Sequence, residues 1–242
     1  MEPINGKKRI LMIVANPAVS TTMGWPVGYW ASELTHPYYA FTNAGFDVTI
    51  ASPQGGRVEM DAFSDPTNED GYAKDDILTL GYLHDKAFTK LLENTPRASS
   101  LSHDNYDAIL VAGGQSPMFT FVRETELQSL FSRFYEGGKV CAALCHGTAL
   151  LLHCKLSNGQ SIIQGKRMTG YTNEEEAYFD RMMGKPVMPF RIEDEARALG
   201  ATFMKGEAFI PFAVRDGRLI TGQQQNSGSK TSELIMQALS EG

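Results

Sequence analysis

The chain has no apolar run long enough to cross a bilayer. The stretch Ile10-Leu-Met-Ile-Val-Ala15 near the start is far too short, and no cleavage-like segment follows it. It therefore reads as a first strand, and neither a membrane partner nor a secretory leader is expected. Cysteine is sparse. Three of them, Cys141, Cys145 and Cys154, are odd in number and too close together to tie distant parts of the chain. That excludes a disulfide framework and fits a reducing, cytoplasmic setting. Basic residues are outnumbered, 22 against 28 acidic for a net charge of −6, and nowhere cluster into a patch that could track a phosphate backbone. No nucleic-acid partner is expected. Internal repeats and low-complexity tracts are also missing. What remains is a chain of 242 residues, 42% hydrophobic, able to bury one sizeable core, so a single domain over residues 1–242 is expected.

The order of elements points to an α/β fold. Residues 9–15 read as a strand, 16–28 as a loop rich in small residues, 29–43 as a helix closed by Gly45, and 47–52 as the next strand. This βαβ opening predicts a doubly wound, mostly parallel sheet with helices on both faces. Residues 53–104 break the pattern: turn-rich and polar segments surround one apolar helix over 77–92. The region reads as an insertion or cap over a sheet edge or a pocket. The sheet resumes at 107–112 and stops at Gly113-Gly114. A helix over 124–135, closed by Gly137-Gly138, leads into a strand at 140–144. Strands with a turn at 161–170, helices at 173–183 and 192–199, a hairpin over 212–222 and a last helix at 229–239 complete the chain.

The chemically distinctive stretch is Val140-Cys-Ala-Ala-Leu-Cys145-His146-Gly147-Thr148. A buried strand ends on a cysteine and turns at once into a helical run. A cysteine in an apolar strand is ordinarily packing. A sharp strand-to-helix turn instead lifts its sulfur above the sheet, and Gly147 keeps the crowded backbone free of a side chain. The N–H groups opening the helix at 148–152 are expected to favour thiolate over thiol, with His146 adding to that or carrying protons. Alongside stand the Gly113-Gly114 strand end and a lone carboxylate, Glu33, early in the first helix. Loops after the C-terminal ends of parallel strands share one crevice, so the three can converge.

Together with Gly28-Tyr-Trp-Ala-Ser-Glu33-Leu-Thr-His-Pro37, Ala51-Ser-Pro-Gln-Gly-Gly56, Asp107-Ala-Ile-Leu-Val-Ala-Gly-Gly114, Thr169-Gly-Tyr-Thr-Asn-Glu-Glu-Glu176 and Leu219-Ile-Thr-Gly-Gln223, the elbow resembles the ThiJ/PfpI superfamily, of class I glutamine amidotransferase-like fold. The branch it is most similar to is that of heat-shock chaperones and glyoxalase III. The resemblance implies a flavodoxin-like sheet with a nucleophile elbow and no cofactor or metal. It implies Cys145 as nucleophile, His146 as proton carrier and Glu33 as a carboxyl beside the sulfur. It further implies the N–H groups of Gly114 and His146 as oxyanion donors and Glu176 as an acid orienting the histidine, although a run of acids at a helix start is more often a solvated cap. Trp30 and Tyr38 flank Glu33 and argue for its burial, which would keep it protonated. Trp30 and Gln115 are assigned to the substrate pocket.

The activity implied is that of a lyase or hydrolase on small reactive carbonyls, of glyoxalase III type (methylglyoxal to lactate) or a related deglycase. The alternatives are an amide or isonitrile hydrolase or hydratase with the same thiol, and a holding chaperone or redox sensor with an oxidisable Cys145. A homodimer and a stress-response role are expected with the first. The chain departs from the branch at Gln115-Ser116, which stands for His-Gly, at Thr148, which stands for Pro, and at Gln223-Gln-Gln-Asn-Ser227. Loss of an imidazole at the pocket edge predicts a shift toward a larger or more polar carbonyl or amide. His36 and His84 show no ligand spacing with any acid or cysteine, and His153 reads as packing or surface.

Overall fold

The computed structural model describes residues 7–241; the ends of the expected single domain, residues 1–6 and 242, lie outside the described residues. The strands are β1 (Arg9–Ile13), β2 (Ala18–Val19), β3 (Pro26–Val27), β4 (Asp47–Ala51), β5 (Ala108–Val111), β6 (Val140–Leu144), β7 (Arg167–Met168), β8 (Thr202–Phe203), β9 (Ala213–Asp216) and β10 (Leu219–Gly222). The helices are α1 (Ala31–Asn43), α2 (Ile77–His84), α3 (Lys86–Glu93), α4 (Ser116–Thr120), α5 (Thr125–Glu136), α6 (Asn173–Met183), α7 (Ile192–Ala198) and α8 (Gly228–Ser240).

Six strands form one sheet in the order β4-β1-β5-β6-β10-β9, parallel except for the antiparallel edge β9. Numbered by their succession, the five parallel strands run 2-1-3-4-5, the flavodoxin-like order. All four residues of β5 and all five of β6 are buried, as a strand covered on both faces requires. The crossover through α1 runs from β1 outward to β4, and that through α5 runs the other way, from β5 to β6. Right-handed connections therefore place the two helices on opposite faces. Helix α8 packs beside α1. The chain changes direction between β1 and β5, and the crevice at the C-terminal ends of that pair is where such folds hold ligands.

Three local readings are corrected. The apolar helix expected over 77–92 is two helices, because Asp85 caps the second by accepting the Ala87 N–H at 2.8 Å. Of the strands expected over 161–170 only β7 forms, pairing with β8 in a separate two-stranded parallel ladder. The small-residue loop at 16–28 contains an antiparallel hairpin of β2 and β3, pinned where the Thr22 hydroxyl donates to the Val187 carbonyl and Lys185 Nζ donates to the Thr22 carbonyl at 3.1 Å.

The 53–104 segment lies against α1 and the end of β4. Tyr38 of α1 packs edge-on against Tyr82 and Phe88, with ring centroids 5.5 and 5.0 Å away, and the Thr35 and Thr79 hydroxyls meet at 2.6 Å. Tyr38 thus serves that interface rather than the surroundings of Glu33. His36 pairs with Asp76 at 3.0 Å across the same contact. No helix among the described residues is long and apolar enough to cross a membrane.

Candidate active site

Strand β6 delivers Cys145 to the crevice, and the backbone there is strained: Cys145 sits at φ 55°, in the left-handed region that a side chain disfavours. The run that follows, Cys145–Leu152, winds as a tight 3₁₀ helix buried on all sides, where an α-helical start was expected at Thr148. The Thr148 hydroxyl turns back to the Cys145 carbonyl at 2.7 Å and helps close that turn. Gly147 is required by contact. A Cβ there would stand 2.7 Å from the carbonyl oxygens of both Val111 and Ala112, so any side chain would push the elbow off β5.

Glu33, in the first turn of α1, is fully buried beneath the sulfur. Its Oε2 accepts the Gly113 N–H at 2.6 Å, while Oε1 has no hydrogen-bond partner among the described residues. The Cys145 thiol bears on the same carboxyl. Burial pushes the Glu33 carboxyl up to about 8, against the opposing pull of the Cys145 and Gly113 hydrogen bonds. The carboxyl is protonated at neutral pH, as the residue's burial led the sequence to expect. The thiol is another matter. Burial first, and the Glu33 carboxyl second, drive Cys145 well above the ordinary thiol range, and the His146 N–H opposes them only weakly. The expectation that a helix N-terminus would hold a resting thiolate is overturned: desolvation and a neighbouring carboxyl outweigh the backbone dipoles.

His146 is buried. Its Nε2 lies 2.9 Å from Glu176 Oε1, and Glu176 is itself buried, with Arg191 Nη1 3.4 Å from its other oxygen. A carboxylate only accepts, so Nε2 carries the proton and Nδ1 is left as the basic nitrogen. Of the three acids at the start of α6, then, Glu176 reaches the histidine. Its neighbour Glu175 closes a capping box with Thr172 and accepts from Gln223 Nε2 at 2.9 Å. The Tyr171 ring lies 4.3 Å from the imidazole, centroid to centroid, and Arg191 also pairs with Asp180.

Gly114 sits at φ 103°, and an added Cβ would meet the Gly28 oxygen and the Trp30 nitrogen, each at 2.5 Å. Only glycine lets this turn approach the start of α1 so closely. The Gly114 N–H donates to no protein group among the described residues, whereas the His146 N–H faces the Cys145 sulfur. Sequence reasoning passed over Asp61. This buried carboxylate accepts the Gly28 N–H at 2.9 Å and the Gln115 N–H at 2.6 Å, joining the 53–104 segment to both sides of the crevice. Burial raises it to about 7. In the sequence it is one acid in a polar stretch, with no local signal of its position.

One cavity collects these groups. Cys145, His146, Glu176, Gln115 and Trp30 all line it, with Glu33 beneath, and it encloses ≈ 500 Å³ between protein atoms, part of it open to solvent. The remaining wall is largely aromatic and aliphatic: Trp25 from the β2–β3 hairpin, Phe63 from the 53–104 segment, Phe179 and Met183 from α6, then Val187 and Met188. Trp25, Phe63, Tyr171 and Arg191 were not singled out from sequence. An aromatic in a loop looks the same whether it packs or binds. All three thiols are buried, but only Cys145 borders the cavity. Limiting iodoacetamide is therefore expected to label Cys145 first, faster as pH rises above 8, and peptide mapping that found Cys154 labelled first would contradict this geometry.

A buried strand-to-turn cysteine beside a carboxyl and an acid-held histidine, on a 2-1-3-4-5 sheet, defines a class of cysteine-elbow α/β proteins. The model of the DJ-1/PfpI family matches residues 27–238, and the chain belongs to that family. A probable glutathione-independent glyoxalase of Schizosaccharomyces pombe, hsp3103, is 31% identical, the match covering 89% of this chain and 92% of the relative. The crystal structure of glyoxalase III from Candida albicans superposes with a TM-score of 0.80 at 27% identity, covering 96% of this chain and 97% of that one. The Rapid Encystment Protein of Francisella tularensis superposes at 0.87 with 30% identity, covering 96% and 99%.

Proposed function

We propose that the protein is a glutathione-independent glyoxalase, converting 2-oxoaldehydes to 2-hydroxy acids, with methylglyoxal to lactate as the simplest case. The observation that carries this reading is the meeting of a thiol, a protonated carboxyl and a histidine with a free Nδ1 at one apolar cavity, in a family whose relatives include named glyoxalases.

The chemistry balances without an outside oxidant. The Cys145 sulfur adds to the aldehyde carbon; the C=O electron pair moves to oxygen, which takes a proton, and a hemithioacetal forms. Because the thiol is neutral at rest and Glu33 already holds its proton, the thiol proton leaves to His146 Nδ1 as the bond forms and passes from there to the new hydroxyl oxygen, freeing Nδ1 for the next step. The Gly114 N–H serves the developing oxyanion, joined by the His146 N–H once the sulfur is engaged. Nδ1 of His146 then takes the hydrogen on C1, the ketone oxygen takes a proton, and an enediol results. Return of a proton to C2 leaves a thioester at C1. Water cleaves the C–S bond, giving the hydroxy acid and the free thiol. C1 is oxidised and C2 reduced within the same molecule. Glu176, backed by Arg191, holds the imidazole in the tautomer this needs and steadies its charged form.

Purified protein with methylglyoxal and no glutathione is expected to form lactate in proportion to aldehyde consumed. Aldehyde loss without lactate would overturn the proposal, and ammonia release from amides at the same thiol would replace it with the hydrolase reading. A homodimer, a cytoplasmic setting and a stress-response role belong to the same proposal.

A further inference from the structure

The carboxamide of Gln115 has one orientation open to it. Its side chain is buried at the cavity edge, its backbone N–H is tied to Asp61, and its Oε1 accepts from the Trp25 indole Nε1 at 3.1 Å. An indole N–H only donates, so the carboxamide oxygen must face it and the NH2 must face away. Among the described residues Nε2 meets no protein acceptor. Gln115 and Cys145 line the same cavity, and the walls beyond are Trp30, Phe63, Phe179, Met183, Val187 and Met188. One directed donor thus stands near the nucleophile; His146, Glu176, Tyr171 and Gln225 are the other polar side chains of the lining, and the rest of the wall suits hydrocarbon.

We infer that the preferred substrates are 2-oxoaldehydes whose ketone carries an apolar group larger than methyl, alkyl or aryl, with the ketone oxygen accepting from Gln115 Nε2. This rests on the 2-oxoaldehyde reading above and names the substrate class within it. The aldehyde carbon goes to Cys145, the neighbouring ketone oxygen to the carboxamide, and the substituent to the aromatic wall. On this reading the expectation drawn from Gln115-Ser116, a larger or more polar carbonyl or amide, narrows to its first arm, a larger carbonyl. Burying extra hydrocarbon favours the larger substrate, by about four-fold per CH2. A pocket that binds through a buried donor discriminates against ligands that leave it unpaired.

The test compares phenylglyoxal with methylglyoxal. Wild-type kcat/KM is expected to be about ten-fold or more higher for phenylglyoxal, by the usual value of extra apolar contact in a pocket. A ratio at or below one overturns the inference. Gln115→Met keeps the length and removes the donor. It is expected to lower kcat/KM about ten-fold or more for both aldehydes, and no change would overturn the role given to the carboxamide. If neither aldehyde is turned over, the glyoxalase reading fails on its own. Protection of Cys145 from iodoacetamide then still decides the pocket's preference: protection by acetophenone and not by acetone supports it, and equal protection by both or by neither overturns it.

Discussion

Cys145→Ala is expected to reduce 2-oxoaldehyde turnover to the uncatalysed background, a loss on the order of 10⁴-fold or more, because no other thiol borders the cavity and every covalent step of the proposed mechanism runs through this sulfur. The fold should survive. Alanine takes the same strained backbone as cysteine, and the lost atom borders an existing cavity, so cooperative thermal unfolding is expected to persist. Wild-type rates in this variant would remove Cys145 from the mechanism. Cys141→Ala and Cys154→Ala, by contrast, are expected to keep activity while losing some stability, since both thiols are fully buried in the core.

Glu33→Gln is expected to act in opposite directions on rate and stability. Glutamine keeps the shape and can accept from Gly113, but cannot pass a proton, so a loss on the order of 10²-fold or more in kcat/KM is expected. The stability argument follows from where the proton is held. In the folded protein Glu33 releases it at about 8, and in the unfolded chain near the ordinary value of 4.5. Between those values the unfolded state binds fewer protons, so Glu33 lowers stability progressively as pH rises through that window. The penalty is complete above about pH 8. It is on the order of a few kcal/mol, at about 1.4 kcal/mol per unit of displacement. Asp61 adds a penalty of the same sign, from the ordinary 3.8 up to about 7. Glu33→Gln is therefore expected to melt higher than wild type at pH 8, by about 2–4 °C per kcal/mol, with the gain shrinking toward pH 5. A gain equal at both pH values, together with an unchanged rate, would mean that Glu33 carries neither role.

Such an opposition is what a proposed functional site predicts. A buried carboxyl without a cationic partner and a cysteine at φ 55° both cost stability, and both converge on one cavity.

Local signals were enough to place the sheet and the elbow. The apolar run 140–144, the Cys-His-Gly turn and the glycines at 113–114 are contiguous features whose backbone demands are met within a few residues, so sequence alone determined β6, the elbow and the Gly-Gly turn. The α/β class followed in the same way from alternating strands and helices, and α6 starts and ends where the pattern put it. Tertiary structure decided what lies around the sulfur. Asp61, Trp25, Tyr171 and Arg191 come from segments far apart in the chain and meet only because loops share the C-terminal ends of parallel strands. The direction of the Cys145 shift was decided there as well. A helix start is visible in sequence and argues for thiolate, whereas full burial and the carboxyl of a residue 112 positions earlier exist only in the folded chain, and they outweigh it.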